Sequence, residues 1–154
     1  MKNKFIGWIG GILLLTLFSC GKKKIERTYF RTYELNPSYT GTHPKAGVSA
    51  TVYIIEKSGY LQFQLSMNGI SDTLNYVLHV HQQDSTEPFG YTGNPVYDLG
   101  NLGNGKVVRT TELSGVDFDS FTQNFKGYFI VHDPFNVQND TTTLLIYGKI
   151  GSDW

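Results

Sequence analysis

The chain has 154 residues with 13 basic and 13 acidic side chains, so its formal net charge at pH 7 is zero. A nucleic-acid-binding domain normally has a basic face, which this balance does not supply, and we expect no nucleic-acid partner. The single cysteine cannot form an internal disulfide, so a folded domain must depend on its hydrophobic core.

The first 20 residues have the order of charge and hydrophobicity that is typical of an export signal. Lys2 and Lys4 precede an apolar stretch, residues 5–18, which is diluted only by three glycines and one threonine. This stretch is shorter than the ~20 apolar residues of a membrane-spanning helix, but it suits the hydrophobic region of a signal peptide. Residues 17–20 (Leu-Phe-Ser-Cys) resemble the lipobox of bacterial lipoproteins, in which the cysteine is acylated.

This resemblance implies that residues 1–19 are a cleaved lipoprotein signal peptide and that Cys20 carries the lipid. The protein would then be anchored to a membrane of the cell envelope, and we expect it on the periplasmic face of the outer membrane. The alternative is an ordinary signal peptide or an uncleaved anchor, in which Cys20 has no role.

The remaining chain is long enough for one ordinary domain. Without Lys2 and Lys4 it has 13 − 2 = 11 basic residues against 13 acidic ones, a net charge of about −2. Residues 20–46 are polar and lack a sustained period, so we interpret them as a tether that could add an irregular first strand. Residues 47–154 are predicted to form the domain.

Alternation of apolar and polar residues predicts β-strands beyond residue 47. Leu61, Phe63, Leu65 and Met67 alternate with polar residues, which is the period of a half-buried strand. Further strands are predicted at residues 52–56, 76–81, 107–113, 127–132 and 144–150. The glycine-rich residues 100–105 are predicted to be a hairpin turn. Since no segment has a helical stripe, an all-β sandwich or barrel is expected.

The histidines are the candidate functional residues. Side chains two apart on a strand point to the same side, so His79 and His81 would project together, about 6.5–7 Å apart along the strand. His132 ends another predicted strand, but spacing alone does not place it beside them. His43, before Pro44, is predicted to be a loop residue, and the alternative is that it is a substitute fourth metal ligand. The alternative is that these histidines are ordinary polar positions on an open strand face.

Four sequence blocks resemble, in order, the signature blocks of the copper/zinc superoxide dismutase family. They are LHVHQ at residues 78–82, VYDLGNL at 96–102, IVHD at 130–133 and YGKIG at 147–151. Residues 66–70 (SMNGI) also resemble the family's segment before its paired histidines. The resemblance covers about residues 47–151 and implies a Greek-key β-sandwich of about eight antiparallel strands. It further implies copper ligands at His79, His81 and His132, and a vestigial zinc position at Asp98.

The chain departs from that family in two places. Residues 82–97 lack the histidine that bridges copper and zinc, the zinc histidines and a disulfide cysteine. Asp98 therefore has no zinc partners, and because a structural zinc site normally takes four ligands, zinc binding is not expected. Asp98 is interpreted as a turn or hydrogen-bonding residue.

The second departure lies between His132 and Gly148, where the sequence has neither the arginine that attracts superoxide nor a second cysteine. Because electrostatic steering of an anion needs a positive charge near the metal, weak or no dismutase activity is expected, and we assign no catalytic residue.

The sequence thus predicts a lipid-anchored, superoxide dismutase-like protein that binds copper through three histidines. The alternative is a metal-free β-sandwich scaffold or interaction lipoprotein, including a domain of the chordin type. A chordin-type domain can also have a His-x-His pair, but it leaves the block at residues 130–133 unexplained. No protein partner is indicated.

Overall fold

The computed structural model describes residues 26–71, 73–83, 94–103, 107–135 and 141–152. The described ranges contain eight β-strands. These are β1 (Thr28–Glu34), β2 (Ser49–Lys57), β3 (Tyr60–Asn68), β4 (Asn75–Gln82), β5 (Tyr97–Gly103), β6 (Val108–Ser114), β7 (Lys126–His132) and β8 (Leu144–Gly151). All strand pairs are antiparallel. The predicted all-β fold is confirmed, while the predicted signal peptide and Cys20 lie outside the described residues.

The strands form two four-stranded sheets, with the orders β1-β2-β3-β6 and β5-β4-β7-β8. Strands β5 and β6 lie side by side where the two sheets meet, and Thr111 Oγ1 donates a 2.8 Å hydrogen bond to the carbonyl oxygen of Leu99. Around this corner the strands follow the order β3, β6, β5, β4. Strands β4, β5 and β6 are successive neighbours, and β6 returns to lie beside β3, so the fold is a Greek-key β-sandwich.

The hydrophobic core lies between the two sheets and is built by alternate residues of each strand. The inward side chains of the four central strands include Val52 and Ile54 of β2, Leu61, Phe63 and Leu65 of β3, Tyr76, Leu78 and Val80 of β4, and Phe129 and Val131 of β7. Complete burial of one large apolar side chain contributes roughly 1.5–3 kcal/mol. The period of two that predicted the strands is therefore the pattern that fills the core.

The sandwich begins ahead of the predicted boundary at residue 47. Strand β1 pairs with β2 along its whole length, and the buried hydroxyl of Tyr33 donates to the carbonyl oxygen of Lys149 across the opening between the sheets. The alternation of apolar and polar residues is not visible in the sequence of β1, because its outward Phe30 is apolar and 62% exposed, whereas its inward side includes Arg31. The first strand is thus a regular part of the sheet rather than an irregular piece of a tether.

The predicted hairpin at residues 100–105 is wrong for the residues that the structure describes. Gly100 to Gly103 belong to β5, which pairs with β4, whereas β6 pairs with β3 in the other sheet. The connection therefore crosses between sheets. Gly103 has a φ of +134°, and a Cβ there would overlap the backbone oxygen of Leu74, so this glycine allows a close approach of two strands.

Helical structure is confined to two short segments in the described ranges. Ser120–Asn124 forms a single turn whose Phe121 is buried in the core, and Thr141–Thr143 forms a shorter one. Neither is long enough to produce the helical period that the sequence lacks. In the part of the chain described, no helix is long and apolar enough to cross a membrane.

The corner between the sheets offers a test of the Greek-key connection. Thr111→Val is expected to lower the free energy of unfolding by about 1 kcal/mol, because it removes the hydrogen bond to Leu99 without changing the shape of the side chain much. Urea denaturation followed by far-UV circular dichroism would measure the loss. Thr110→Val is the matched control, because Thr110 is the exposed neighbour on the other side of β6. Equal effects of the two substitutions would contradict a special role for this hydrogen bond.

Candidate metal centre

Strand β4 places two of the predicted histidines on the outer side of the second sheet. Leu78 and Val80 are fully buried in the core, so His79 and His81, which alternate with them, project from the opposite side. Their ring centroids are 5.7 Å apart. The same-side placement predicted from the sequence is therefore observed.

Strand β7 brings His132 to the same place. In the register of β4 with β7, His79 lies opposite Ile130, so His132 is the next outward position along β7. The pairing of β7 with β8 is irregular between Val131 and His132. The centroids of His79 and His132 are 5.2 Å apart. The structure thus brings together the three histidines, including the one that spacing did not place.

Two of these imidazoles have buried nitrogens with no hydrogen-bond partner among the described residues. The nitrogens are Nε2 of His81 and Nδ1 of His132. The two residues are only 5% and 6% exposed. Buried polar side-chain atoms nearly always have a partner, and leaving one unsatisfied costs about 1–3 kcal/mol. Two such atoms, in histidines that both lie beside His79, make this cluster the candidate site.

The surroundings of the three imidazoles lower the pKa of each of them. Burial lowers the pKa of His79 and of His81, and it lowers the pKa of His132 to about 4, with a further lowering from the two neighbouring histidines. Asp98 opposes the effect at His79, but burial has the larger influence on that pKa. A neutral imidazole is the form that binds metal ions, so no proton has to leave at neutral pH.

The spacing of the rings can be compared with that around a bound ion. A nitrogen that binds an ion lies about 2.0–2.1 Å from it, which puts the centres of two rings at a tetrahedral angle about 5.2 Å apart. The observed 5.2 and 5.7 Å are close to this value. Within the described ranges, however, no three His, Cys, Asp or Glu side chains form a group that could hold a metal ion as they are placed. Binding would therefore require the rings to turn.

Asp98 borders the three histidines from strand β5. Its side chain is 71% exposed, and its Oδ1 is 3.9 Å from Nε2 of His79. The same oxygen accepts a 2.8 Å hydrogen bond from the backbone N–H of Gly100. The turn-type hydrogen bond expected for this residue is thus observed, with the carboxyl group close to one histidine.

His43 lies elsewhere and has both ring nitrogens engaged. It is in a loop, as predicted, but it is buried. Its Nδ1 is 2.7 Å from the carbonyl oxygen of Pro44, and its Nε2 is 2.7 Å from the hydroxyl of Tyr76. A role as a fourth ligand would break these hydrogen bonds, so the structure does not support one.

A buried polar network, which the sequence did not predict, begins directly after His132. Asp133 is fully buried and accepts hydrogen bonds from the hydroxyl of Tyr39 at 2.6 Å and the backbone N–H of Phe135 at 2.9 Å. The Tyr39 hydroxyl also accepts a 2.9 Å hydrogen bond from the backbone N–H of His43. The only signal in the sequence was an acidic residue next to an apolar strand. The network ties the end of β7 to the segment that joins β1 and β2.

An apolar patch continues the outer side of the second sheet beyond the histidines. Tyr128 lies opposite His81 in the register, and its ring stacks on Tyr147 with centroids 4.6 Å apart. Tyr128 and its neighbours Ile130 and Leu144 are buried. This packing accounts for the low polarity around the imidazoles and hence for their lowered pKa values.

Comparisons of the chain with protein-family models, with curated proteins and with solved structures found no match. The structure itself defines the class of the protein: a Greek-key β-sandwich with three clustered histidines on the outer side of one sheet.

Proposed function

We propose that this protein is a lipid-anchored, superoxide dismutase-like metalloprotein that binds copper through His79, His81 and His132, with weak or no dismutase activity. The observation that carries the proposal is the pair of buried, unpartnered imidazole nitrogens beside a third imidazole. An ion that reached both nitrogens would give each of them a partner. The family resemblance of the sequence blocks supports the same three ligands.

Both the type of donor atom and the resemblance of the sequence blocks favour copper as the ion. Imidazole is a good donor for copper, and in divalent form copper binds such sites more tightly than the other first-row ions do. The unpartnered nitrogens can turn toward an ion without breaking a hydrogen bond to the described residues.

Low dismutase activity follows from the charge near the site. Asp98, whose Oδ1 lies 3.9 Å from Nε2 of His79, repels an anion, and residues 133–147 include no arginine. Because a positive potential is what raises the encounter rate with an anionic substrate, superoxide would reach this metal slowly. Holding copper is the role that remains.

The lipid anchor would keep this site close to a membrane. Cys20 precedes the first residue of β1 by 28 − 20 = 8 positions. A chain of this length spans at most ~29 Å when fully extended. We place the domain at the surface of the cell envelope membrane, facing the periplasm.

Copper titration of the full-length protein in detergent micelles tests the proposal. Equilibrium dialysis with elemental analysis is expected to show one tightly bound copper per chain. His79→Ala, His81→Ala and His132→Ala should each weaken binding by at least about tenfold, because each removes a ligand. His43→Gln is the control that removes the remaining imidazole and should keep the copper. Unchanged binding in the three alanine variants, with circular dichroism showing a folded protein, would reject the site.

A metal-free interaction lipoprotein, such as a chordin-type domain, is the second candidate. It is favoured by the orientation of the donor atoms, which form no ready metal group in the described ranges. It is also favoured by Phe30 and Tyr53, which are exposed on the outer side of the first sheet with ring centroids 6.0 Å apart. If this candidate is correct, the same titration gives no saturable copper binding.

A further inference from the structure

An exposed aromatic pair lies on the outer side of the first sheet. Phe30 of β1 and Tyr53 of β2 are directly opposite each other in the register, and their ring centroids are 6.0 Å apart with 32° between the ring planes. They are 62% and 39% exposed. The core has room for neither ring on this side of the sheet, and two large rings that remain exposed side by side indicate a contact surface.

The side chains around this pair are mostly small or amide groups without charge. Gln64 of β3 lies opposite Tyr53, and Thr110 of β6 lies opposite Gln64, so the row that crosses the sheet consists of two rings, an amide and a hydroxyl. The charged outward residues of the four strands lie at the margins of this surface and are Glu34, Lys57 and Glu112. A surface of this kind can leave bulk water for the head-group region of a lipid layer without burying a charge.

The length of chain ahead of β1 keeps this pair close to the lipid of the proposed anchor. Phe30 follows Cys20 by 30 − 20 = 10 positions, so even a fully extended chain holds it within ~36 Å of the lipid. Lys22, Lys23 and Lys24 come almost directly after Cys20, and basic residues beside a lipid anchor are attracted to anionic head groups. The outward side chains of β1 are therefore among the first of the folded domain to approach the membrane.

The end of the sandwich at which β1 begins is less suited to a membrane. Its described residues include the carboxyl groups of Glu26, Asp117 and Asp119, and its basic side chains, Arg27 and Lys57, form ion pairs with two of these carboxyl groups. Anionic head groups repel a surface with an excess of carboxyl groups. The domain is therefore expected to lie on the flat side of its first sheet rather than to stand on this end.

We propose that the outer side of the first sheet lies on the surface of a lipid bilayer, with Phe30 and Tyr53 in the head-group region. This inference rests on the lipid anchor of the proposed function and is independent of metal binding. A tyrosine has an apolar ring and a polar tip, which is the combination favoured at that depth. A short tether keeps the surface at an effective concentration on the order of millimolar, so a contact too weak to recruit a free protein is still populated. Because the two sheets pack back to back, the histidines on the outer side of the second sheet then face the aqueous phase.

A fluorescent label on the lipidated protein tests this contact. Acylation uses the thiol of Cys20, which is the only cysteine in the sequence, so a cysteine introduced elsewhere is the only free thiol. Gln64→Cys places a bimane label beside Tyr53. Asn101→Cys is the matched control, because Asn101 is exposed and lies opposite Val77 on the outer side of the second sheet.

Each labelled protein is inserted into preformed vesicles of phosphatidylethanolamine and phosphatidylglycerol. Brominated phospholipid quenches the label from the bilayer, and iodide quenches it from the water. We expect the label at position 64 to be quenched at least about twofold more by brominated lipid, and at least about twofold less by iodide, than the label at position 101.

Phe30→Ser combined with Tyr53→Ser removes the aromatic pair but keeps the anchor, and both differences between positions 64 and 101 should then disappear. Equal quenching at the two positions before this substitution, or differences that persist after it, would overturn the contact. Protection of position 64 from iodide without quenching by brominated lipid would also overturn it and would indicate a second copy of the chain on this surface. Mass spectrometry of the purified protein tests the anchor separately, because an unacylated Cys20 would reject the lipid-anchored part of the proposed function itself.

Discussion

Tyr39→Phe is expected to lower the free energy of unfolding by about 3 kcal/mol. The lost hydroxyl donates a 2.6 Å hydrogen bond to the carboxyl group of Asp133, which is fully buried. It also accepts a hydrogen bond from the backbone N–H of His43. A hydrogen bond to a charged group is worth about 1.5–3 kcal/mol, and a buried donor left without its acceptor adds to the loss. The apolar ring is kept, so the loss reports on the polar network alone.

The control for this prediction is Tyr53→Phe, because Tyr53 is exposed on the outer side of the first sheet and should change stability by less than about 0.5 kcal/mol. Chemical denaturation at pH 7 would give both values. The burial of Tyr39 and its contact with Asp133 raise the pKa of its hydroxyl to about 12, which a spectrophotometric titration can check independently. A loss in Tyr39→Phe as small as that of the control would mean that water replaces the hydroxyl.

Six of the eight strands could be predicted from alternating apolar and polar residues or from a short apolar run between turn residues. In β3, for example, Leu61, Phe63 and Leu65 are buried, and the residues between them are more exposed. Strand β1 was left undecided because an edge strand tolerates an outward Phe30 and an inward Arg31. Strand β5 was missed because its glycines, which permit the close contact with Leu74, look like turn residues in a sequence.

The sequence could predict only those contacts of the candidate site that lie within a single strand. His79 and His81 share one strand, so strand periodicity alone places them together. His132 is brought to them by the pairing of β4 with β7, which depends on the order of strands in the sheet. The family resemblance, rather than any physical pattern, supplied that third residue.

The contacts around the site were not predictable because they join distant segments. In the pairing of β4 with β5, Leu78 lies opposite Gly100 and His79 opposite Asp98, so the register skips Leu99, which is buried in the core. The hydrogen bond from Tyr39 to Asp133 joins residues 94 positions apart. Neither leaves a periodic signal in the sequence.

The metal-free protein is expected to lose stability as the pH falls from about 6.5 to about 4. An unfolded histidine has a pKa of about 6.5, whereas burial lowers the pKa of His132 to about 4 in the folded protein. Between these values the unfolded chain binds more protons than the folded one, so protonation favours unfolding. The shift corresponds to a loss of roughly 3 kcal/mol from His132, and the lowered pKa values of His79 and His81 act in the same direction.

This pH dependence is measured by urea denaturation in the presence of a chelator between pH 7.5 and pH 4. Carboxyl groups also titrate near the acid end of that range, so the decisive comparison is with His132→Gln, which cannot gain the proton. The substituted protein should show a flatter profile than the unsubstituted one, even if its stability at pH 7 is lower. Parallel profiles would mean that His132 is protonated in the folded state with little cost, and the imidazole would then be far better solvated than its 6% exposure implies. A well-solvated imidazole has no need of an ion to satisfy its nitrogen, so parallel profiles would also weaken the argument for the metal centre.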